Sequence, residues 1–239
     1  MLYALLNGKK AEATPHQRAI CPSCGKEVFA KCGEEKIDHW SHHSHESCEI
    51  WYEPETHWHQ KWKLIFGAKH SEVVIEKDGI RHIADVQTST DVVIEFQEAS
   101  IKSETILDRE AFYGDRMLWV VNGEGFKKNF KVYYHAKKPS SPNVMIGHSV
   151  RQAYGNEPCR SDFEVDKDIR FEWSHPRRAW MDSKRVILLD FGDAYLFKIT
   201  EWEWFNSKFG SGKFISKEYF VEKYGGDKAL LDKWAYMEE

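Results

Sequence analysis

The stretch Arg81–Ser100, RHIADVQTSTDVVIEFQEAS, constrains this chain more than any other. Val92, Ile94 and Phe96 alternate with Val93, Glu95 and Gln97, the period-two pattern of a β-strand. Glu95 and Gln97 therefore share one face. Asp85 ends an earlier strand-like run, Arg81–Val86, and a turn near Thr88–Asp91 would fold that run back. Asp85 and Glu95 would then lie side by side. Two carboxylates on rigid strands repel each other unless positive charge lies between them. A divalent cation with a preference for hard oxygen ligands, such as Mg²⁺ or Mn²⁺, meets that need. Asp, then Glu-x-Gln one strand later, is the metal-site pattern of a nuclease. The plainer alternative makes Glu95 and Gln97 the wet face of a half-buried strand.

The segments on either side extend the pattern. Ile101–Tyr113 has helical spacing, with Ile101, Thr105 and Phe112 separable from a charged face. Met117–Val121 (MLWVV) suits a strand buried on both faces. Upstream, Pro54–Phe66 reads as a helix with Pro54 near its start and Trp58, Trp62 and Ile65 as its apolar stripe. Glu55, His59 and Lys63 recur every fourth residue on another face. Placed over the carboxylates, that face would add Glu55 to the metal shell, and His59 and Lys63 would meet substrate phosphate. The alternative is a ladder of surface pairs.

The N-terminal region carries a different chemistry. Cys21-Pro-Ser-Cys24-Gly places two thiolates where they can grip one tetrahedral ion, and His39-Trp-Ser-His42 supplies a second pair. This predicts one structural Zn²⁺ on Cys21, Cys24, His39 and His42, between short strands at Glu27–Ala30 and Lys36–Trp40. Cys32, His43, His45 and Cys48 compete for the histidine positions. A closed four-ligand site leaves no position for a reacting water, so catalysis would lie elsewhere.

Five cysteines, an odd number, fit poorly with a disulfide framework. No apolar run approaches the ~20 residues that span a bilayer, and the start, MLYALLNGKK, is too short in apolar residues for a signal peptide. A cytoplasmic location with no membrane association is the expectation. The net charge of −4 confines any nucleic-acid surface to local clusters. Two exist: Lys127, Lys128, Lys131, Lys137, Lys138 and Arg151 in one stretch, and Arg177, Arg178, Lys184 and Arg185 in another. Each is equally readable as a solvated face.

Taken in order, CPSCG, HWSH, ETHWHQKWK, RHIADV, VVIEFQEASI, the Arg109…Tyr113 helix and MLWVV resemble the competence-protein CoiA-like family, predicted nucleases of the PD-(D/E)xK superfamily. The resemblance covers about residues 1–121. It implies an α/β fold: a mixed sheet flanked by helices, a restriction-endonuclease-like core, with an N-terminal zinc-ribbon-like module. It makes Asp85 and Glu95 metal ligands, places Gln97 where the superfamily has lysine, and makes Glu55 the helix carboxylate. Arg109 and Tyr113 resemble residues that support the site or touch substrate. The expected domains are residues 1–50 (zinc module), 51–137 (nuclease core), 138–160 (linker) and 161–239, a small α+β extension rich in tryptophan.

In that extension Val186–Asp190, Ala194–Thr200 and Lys213–Ser216 look like strands, and Lys217–Lys223 like a helix. Trp173, Trp180, Trp202, Trp204 and Trp234 are read as core in preference to base-stacking platforms. The expected function is Mg²⁺- or Mn²⁺-dependent hydrolysis of DNA, including single-stranded or branched forms, with Glu55, Asp85, Glu95 and Gln97 catalytic. Protein partners are unknown from the sequence. The rival reading is a non-catalytic nucleic-acid-binding or assembly protein on the same fold. A third makes the histidine-rich N-terminus a catalytic zinc hydrolase.

Overall fold

Asn7-Gly8 and Asp78-Gly79 both hold left-handed backbone, with φ of 53° and 78° in each pair. Asn-Gly and Asp-Gly are the dipeptides that close two-residue hairpins of the hand that matches strand twist. The first joins β1 (Tyr3–Leu6) to β2 (Lys9–Glu12), with Leu6 opposite Lys9. The second joins β6 (Ser71–Lys77) to β7 (Ile80–Gln87), with Lys77 opposite Ile80. The structure, a computed structural model, describes residues 1–33, 37–43, 51, 55–135, 145–149, 169–203 and 206–235. It divides into one unit of Met1–Phe96 with Val221–Glu239, and a second of Gln97–Phe220.

In the first unit, β3 (Arg18–Ile20), β4 (Glu27–Lys31) and β5 (His39–Ser41) complete an antiparallel sheet of order β2-β1-β3-β4-β5. Its core is Ala4, Ala13, Ala19, Cys21, Val28 and Trp40. Helix α1 (His57–His70) follows, kinked at Gly67, and packs on β6 and β7. It begins later than the expected Pro54. Thr56 caps it, its hydroxyl accepting the His59 N–H at 3.3 Å, so Glu55 precedes the helix. Residues 52–54 lie outside the described residues. Strand β8 (Val93–Gln97) pairs antiparallel with β7, and the turn at Thr88–Asp91 is closed by the Thr88 backbone and hydroxyl. All five residues of β8 are buried, Glu95 and Gln97 included, which removes the wet-face alternative.

In the second unit, α2 (Ser103–Tyr113) and β9 (Met117–Asn122) lie where helix and buried strand were expected, each within a residue or two. The strands β10 (Phe130–His135), β11 (Met145–Ser149), β12 (Ile169–Trp173), β13 (Val186–Asp190), β14 (Tyr195–Trp202) and β15 (Phe209–Ser216) join β9 in the order β11-β10-β12-β15-β14-β13-β9. Only β13 and β9 among these pairs run parallel. Phe130, Phe171, Trp173, Phe191 and Phe197 fill the core. Trp173 and Trp180 are buried, and Trp202 stacks on Trp173. Trp204 and the Trp234 side chain lie outside the described residues, as does most of the expected linker 138–160 apart from β11. Helices α3 (Lys217–Tyr224) and α4 (Ala229–Ala235) close the chain. The whole is a mixed α/β protein with few helices. No helix among the described residues is long and apolar enough to cross a membrane.

Candidate functional site

Lys63 lies in the middle of α1 on the face turned inward, its side chain only 6% exposed. Three carboxylates surround its ammonium: Glu55 Oε2 at 3.0 Å, Glu72 Oε1 at 3.1 Å and Asp85 Oδ1 at 3.1 Å. Burial alone would pull the lysine pKa down, but Glu55, Asp85 and Glu72 outweigh it and hold the pKa well above the ordinary value. Burial likewise pushes Asp85 and Glu72 up, and Lys63 reverses the sign, so both stay below the usual carboxylate range. The Phe96 N–H adds to this for Asp85, and the Leu2 and Tyr3 N–H groups for Glu72. Three carboxylates thus converge on one ammonium.

Asp85 and Glu95 meet where the β7–β8 ladder stops. Backbone pairing runs through Gln87–Val93 and Val86–Ile94. Beyond that the side chains take over: the Asp85 N–H donates to Glu95 Oε1 at 3.2 Å, and the Phe96 N–H donates to Asp85 Oδ2 at 2.9 Å. Each carboxylate is thereby fixed by the other strand's backbone. The Gln97 amide nitrogen donates to the Ala99 carbonyl at 3.2 Å. Glu55 Oε1 is buried with no hydrogen-bond partner among the described residues. Asp85 and Glu95 thus put hard oxygen donors on adjacent strands.

His59 and Lys63 were expected to face substrate. Both are buried instead. His59 Nε2 lies 3.1 Å from the Phe96 carbonyl and Nδ1 lies 2.9 Å from the Thr56 hydroxyl. A carbonyl only accepts, so Nε2 donates its proton to Phe96. His59 thus clips α1 to β8. Arg109 and Tyr113 sit on α2 in the second unit, both buried, with the Arg109 guanidinium 5.7 Å from the centre of the Trp119 ring. The second basic cluster is dispersed. Arg177 donates to the Glu98 carbonyl, while Arg185 holds the Gly114 carbonyl and Asp115. Of the first cluster, Lys137, Lys138 and Arg151 lie outside the described residues.

Glu72 is the site residue that sequence reading missed. It opens β6, and nothing in SEVVIEK distinguishes it from the solvent-facing glutamate four positions on. Its significance comes from partners distant in sequence: Leu2, Tyr3 and Lys63.

A second cluster lies in the N-terminal sheet. The ligand atoms of Cys21, Cys24 and His42 all fall within 4.8 Å of one another. The turn that sets this up is visible in the backbone: Gly25, with φ of 71°, donates its N–H to the Cys21 carbonyl, and the Cys21 N–H donates to Lys26. Two sulfurs and one imidazole suit Zn²⁺. Burial, then Lys26 and the chain's amino terminus, lower the His42 pKa, favouring the neutral, ligating form. His39 is not within this trio. Its Nδ1 lies 2.8 Å from the Ile37 carbonyl. Of the competitors, Cys32 packs against the same core, with its thiol pushed up by burial and then by Asp38. His43 is exposed and lies 4.3 Å, ring to ring, from Phe29. His45 and Cys48 lie outside the described residues.

Residues 5–51, which include the whole trio, match the family model described as competence protein CoiA, N-terminal domain. The competence protein CoiA of Bacillus subtilis (strain 168) is 24% identical over 149 residues. That match covers 56% of this chain and 39% of the relative, so the similarity spans about two fifths of that protein's length. No solved structure matches the chain.

Proposed function

We propose that the chain is a divalent-metal-dependent nuclease of the PD-(D/E)xK type acting on DNA, with Asp85 and Glu95 as ligands to Mg²⁺ or Mn²⁺. The observation that carries this reading is the mutual fixing of Asp85 and Glu95 at the end of the β7–β8 ladder, beside a buried lysine. Likeness to competence proteins supports DNA as the substrate class, within uptake, recombination, repair or defence. A divalent cation bound at the two carboxylates would polarise the scissile phosphate and generate hydroxide near neutral pH.

The chain's own residues do the rest. Lys63 keeps Asp85 ionised and ready to ligate. The Asp85 N–H fixes Glu95 in its rotamer, so the two oxygens present a preset geometry. Gln97 orients the attacking water through its amide. Glu55, with one oxygen on Lys63 and the other buried and unmatched, supplies a further acceptor. Cys21, Cys24 and His42, with a fourth ligand, hold a structural Zn²⁺ that stabilises the N-terminal sheet.

The competing reading is a nucleic-acid-binding or assembly protein that keeps the fold without cleavage. Neutralisation of Asp85 by Lys63 and the glutamine at position 97 favour it. Incubating purified protein with supercoiled, linear and single-stranded DNA and with RNA, with Mg²⁺, Mn²⁺ or chelator, decides between them. Metal-dependent cleavage abolished in Asp85→Asn supports the nuclease. Binding without cleavage under every metal condition supports the rival.

A further inference from the structure

We infer that Glu72 is a positioning residue: it shares the Lys63 ammonium with Asp85, holds it back from that carboxylate, and ties the pair to the N-terminal sheet. The inference rests on the nuclease reading for its consequence and on Glu72's own contacts for its geometry. Glu72 is 3% exposed. One oxygen, Oε1, accepts both the Lys63 ammonium at 3.1 Å and the Leu2 N–H at 2.7 Å. The other, Oε2, accepts the Tyr3 N–H at 2.7 Å. Both oxygens are therefore held by the end of β1, and the carboxylate has no freedom to follow the lysine elsewhere.

The backbone at Glu72 points the same way. Its φ of 51° is the left-handed region, unfavourable for a residue with a long side chain. Such a conformation persists only where surroundings over-determine it. Here they do: the Lys10 ammonium donates to the Ser71 carbonyl at 2.6 Å and to the Glu72 carbonyl at 3.0 Å, while Leu2 and Tyr3 grip the side chain. The Ser71 hydroxyl donates to the Lys63 carbonyl at 2.6 Å, fixing the same segment to α1. The twist turns Glu72 inward, where strand alternation alone would set it with Val74 and Glu76.

The consequence is electrostatic. Lys63 divides its attraction among Glu55, Glu72 and Asp85. With Glu72 in place, part of the ammonium's charge is spent away from Asp85, and Asp85 keeps affinity for a second cation. Without that charge, Lys63 is drawn onto Asp85 and competes with the divalent metal for the same oxygens. The N-terminal sheet is thus tied to Lys63 through the Leu2 and Tyr3 N–H groups on Glu72, and β1 neighbours β3, which leads into Cys21.

The test is Glu72→Gln, which keeps the shape and one of the two acceptor oxygens, so that one of the Leu2 and Tyr3 N–H groups stays bonded, and removes the charge. Three measurements are made on the whole chain: Mn²⁺ affinity by calorimetry, kcat and KM on one DNA substrate, and the position of the Lys63 ammonium in crystal structures of both forms. Zinc content serves as the control on folding. Expected are a Lys63 ammonium shifted toward Asp85, Mn²⁺ affinity and kcat each down about tenfold, KM within about twofold, and unchanged zinc. An unshifted Lys63 overturns the positioning role. A shifted Lys63 with wild-type Mn²⁺ affinity and kcat overturns its consequence for the site. If the wild type neither binds Mn²⁺ nor cleaves, the nuclease reading falls, and a shifted Lys63 in Glu72→Gln still upholds Glu72 as the residue that places Lys63.

Discussion

The Asp85 backbone N–H donates to a carboxylate oxygen of Glu95, 3.2 Å away, where a strand would ordinarily continue its backbone ladder. A side chain has replaced a carbonyl, so the two strands part just where their acidic residues lie. Asp85→Asn removes the charge and keeps the size. Under the proposed function it should lower cleavage by at least about 10²-fold, because a ligand to the cation that stabilises transition-state charge is lost. Single-turnover rates with circular dichroism as a folding check measure this. Wild-type cleavage by the folded variant rules out the site.

Lys63 is expected to dominate the stability of the first unit. Replacing it by methionine leaves Glu55, Glu72 and Asp85 facing one another without a cation. Removing one partner of a buried ion pair costs about 3–5 kcal/mol. Urea unfolding of Lys63→Met should show a loss of that order. A loss no larger than that of an exposed lysine, such as Lys77, would mean that water screens the cluster.

The same cluster fixes the direction of the pH dependence. Asp85 and Glu72 have folded pKa values below their ordinary ones. Their contribution is complete above the unfolded carboxylate range of about 4 and is lost as pH falls through the lower folded values. Lys63 has a raised pKa, so its contribution is complete below the unfolded value of about 10.4 and is lost as pH rises through the folded one. The cluster's contribution to stability should therefore be flat across neutral pH and fall on the acid side below about pH 4. Glu72→Gln should flatten that acid limb, measured by thermal unfolding from pH 2 to 7.

For zinc, Cys21→Ser and His42→Ala should each lose the metal and loosen the N-terminal sheet, since structural zinc supplies folding free energy of order 10 kcal/mol in small modules. His39→Ala should cost less, because His39 lies apart from the trio with one ring nitrogen on the Ile37 carbonyl. Metal analysis of protein purified without chelator checks both. Equal loss in His39→Ala and His42→Ala would place His39 in the shell after all.

Much of this was readable in residues that act locally. The Val92–Gln97 alternation gave β8, the stretch Thr88–Asp91 gave its turn, and Val186–Asp190 is β13 to the residue. The hairpin dipeptides Asn7-Gly8 and Asp78-Gly79 carried a local signal for β1 and β6, strands that were not among those expected. What sequence reading missed depends on distance. Helical periodicity carried Glu55 onto α1, but the Thr56 hydroxyl starts the helix after it. Periodicity also set His59 and Lys63 toward substrate, although each is consumed by buried partners on other elements. Glu72 had no local mark, because its partners lie nine and about seventy residues away.

Gln97 gives the sharpest test of mechanism. In the resemblance to PD-(D/E)xK nucleases it stands where a lysine is expected, and a glutamine cannot supply that positive charge. Its amide can still orient water through donor and acceptor together. The side chain is 3% exposed, and the Ala99 carbonyl holds its nitrogen, which fixes the direction of its oxygen. Lys63 already supplies an ammonium at Asp85, from α1 and not from β8. On the proposed reading, position 97 therefore needs orientation more than charge. Gln97→Ala should slow single-turnover cleavage by about 10²-fold, with Mn²⁺ affinity nearly unchanged because Asp85 and Glu95 remain. Gln97→Lys should retain activity above the alanine variant, since an ammonium there can also hold water. If Gln97→Ala cleaves at the wild-type rate, the buried amide is only part of the packing of β8, and the water must be placed by another group.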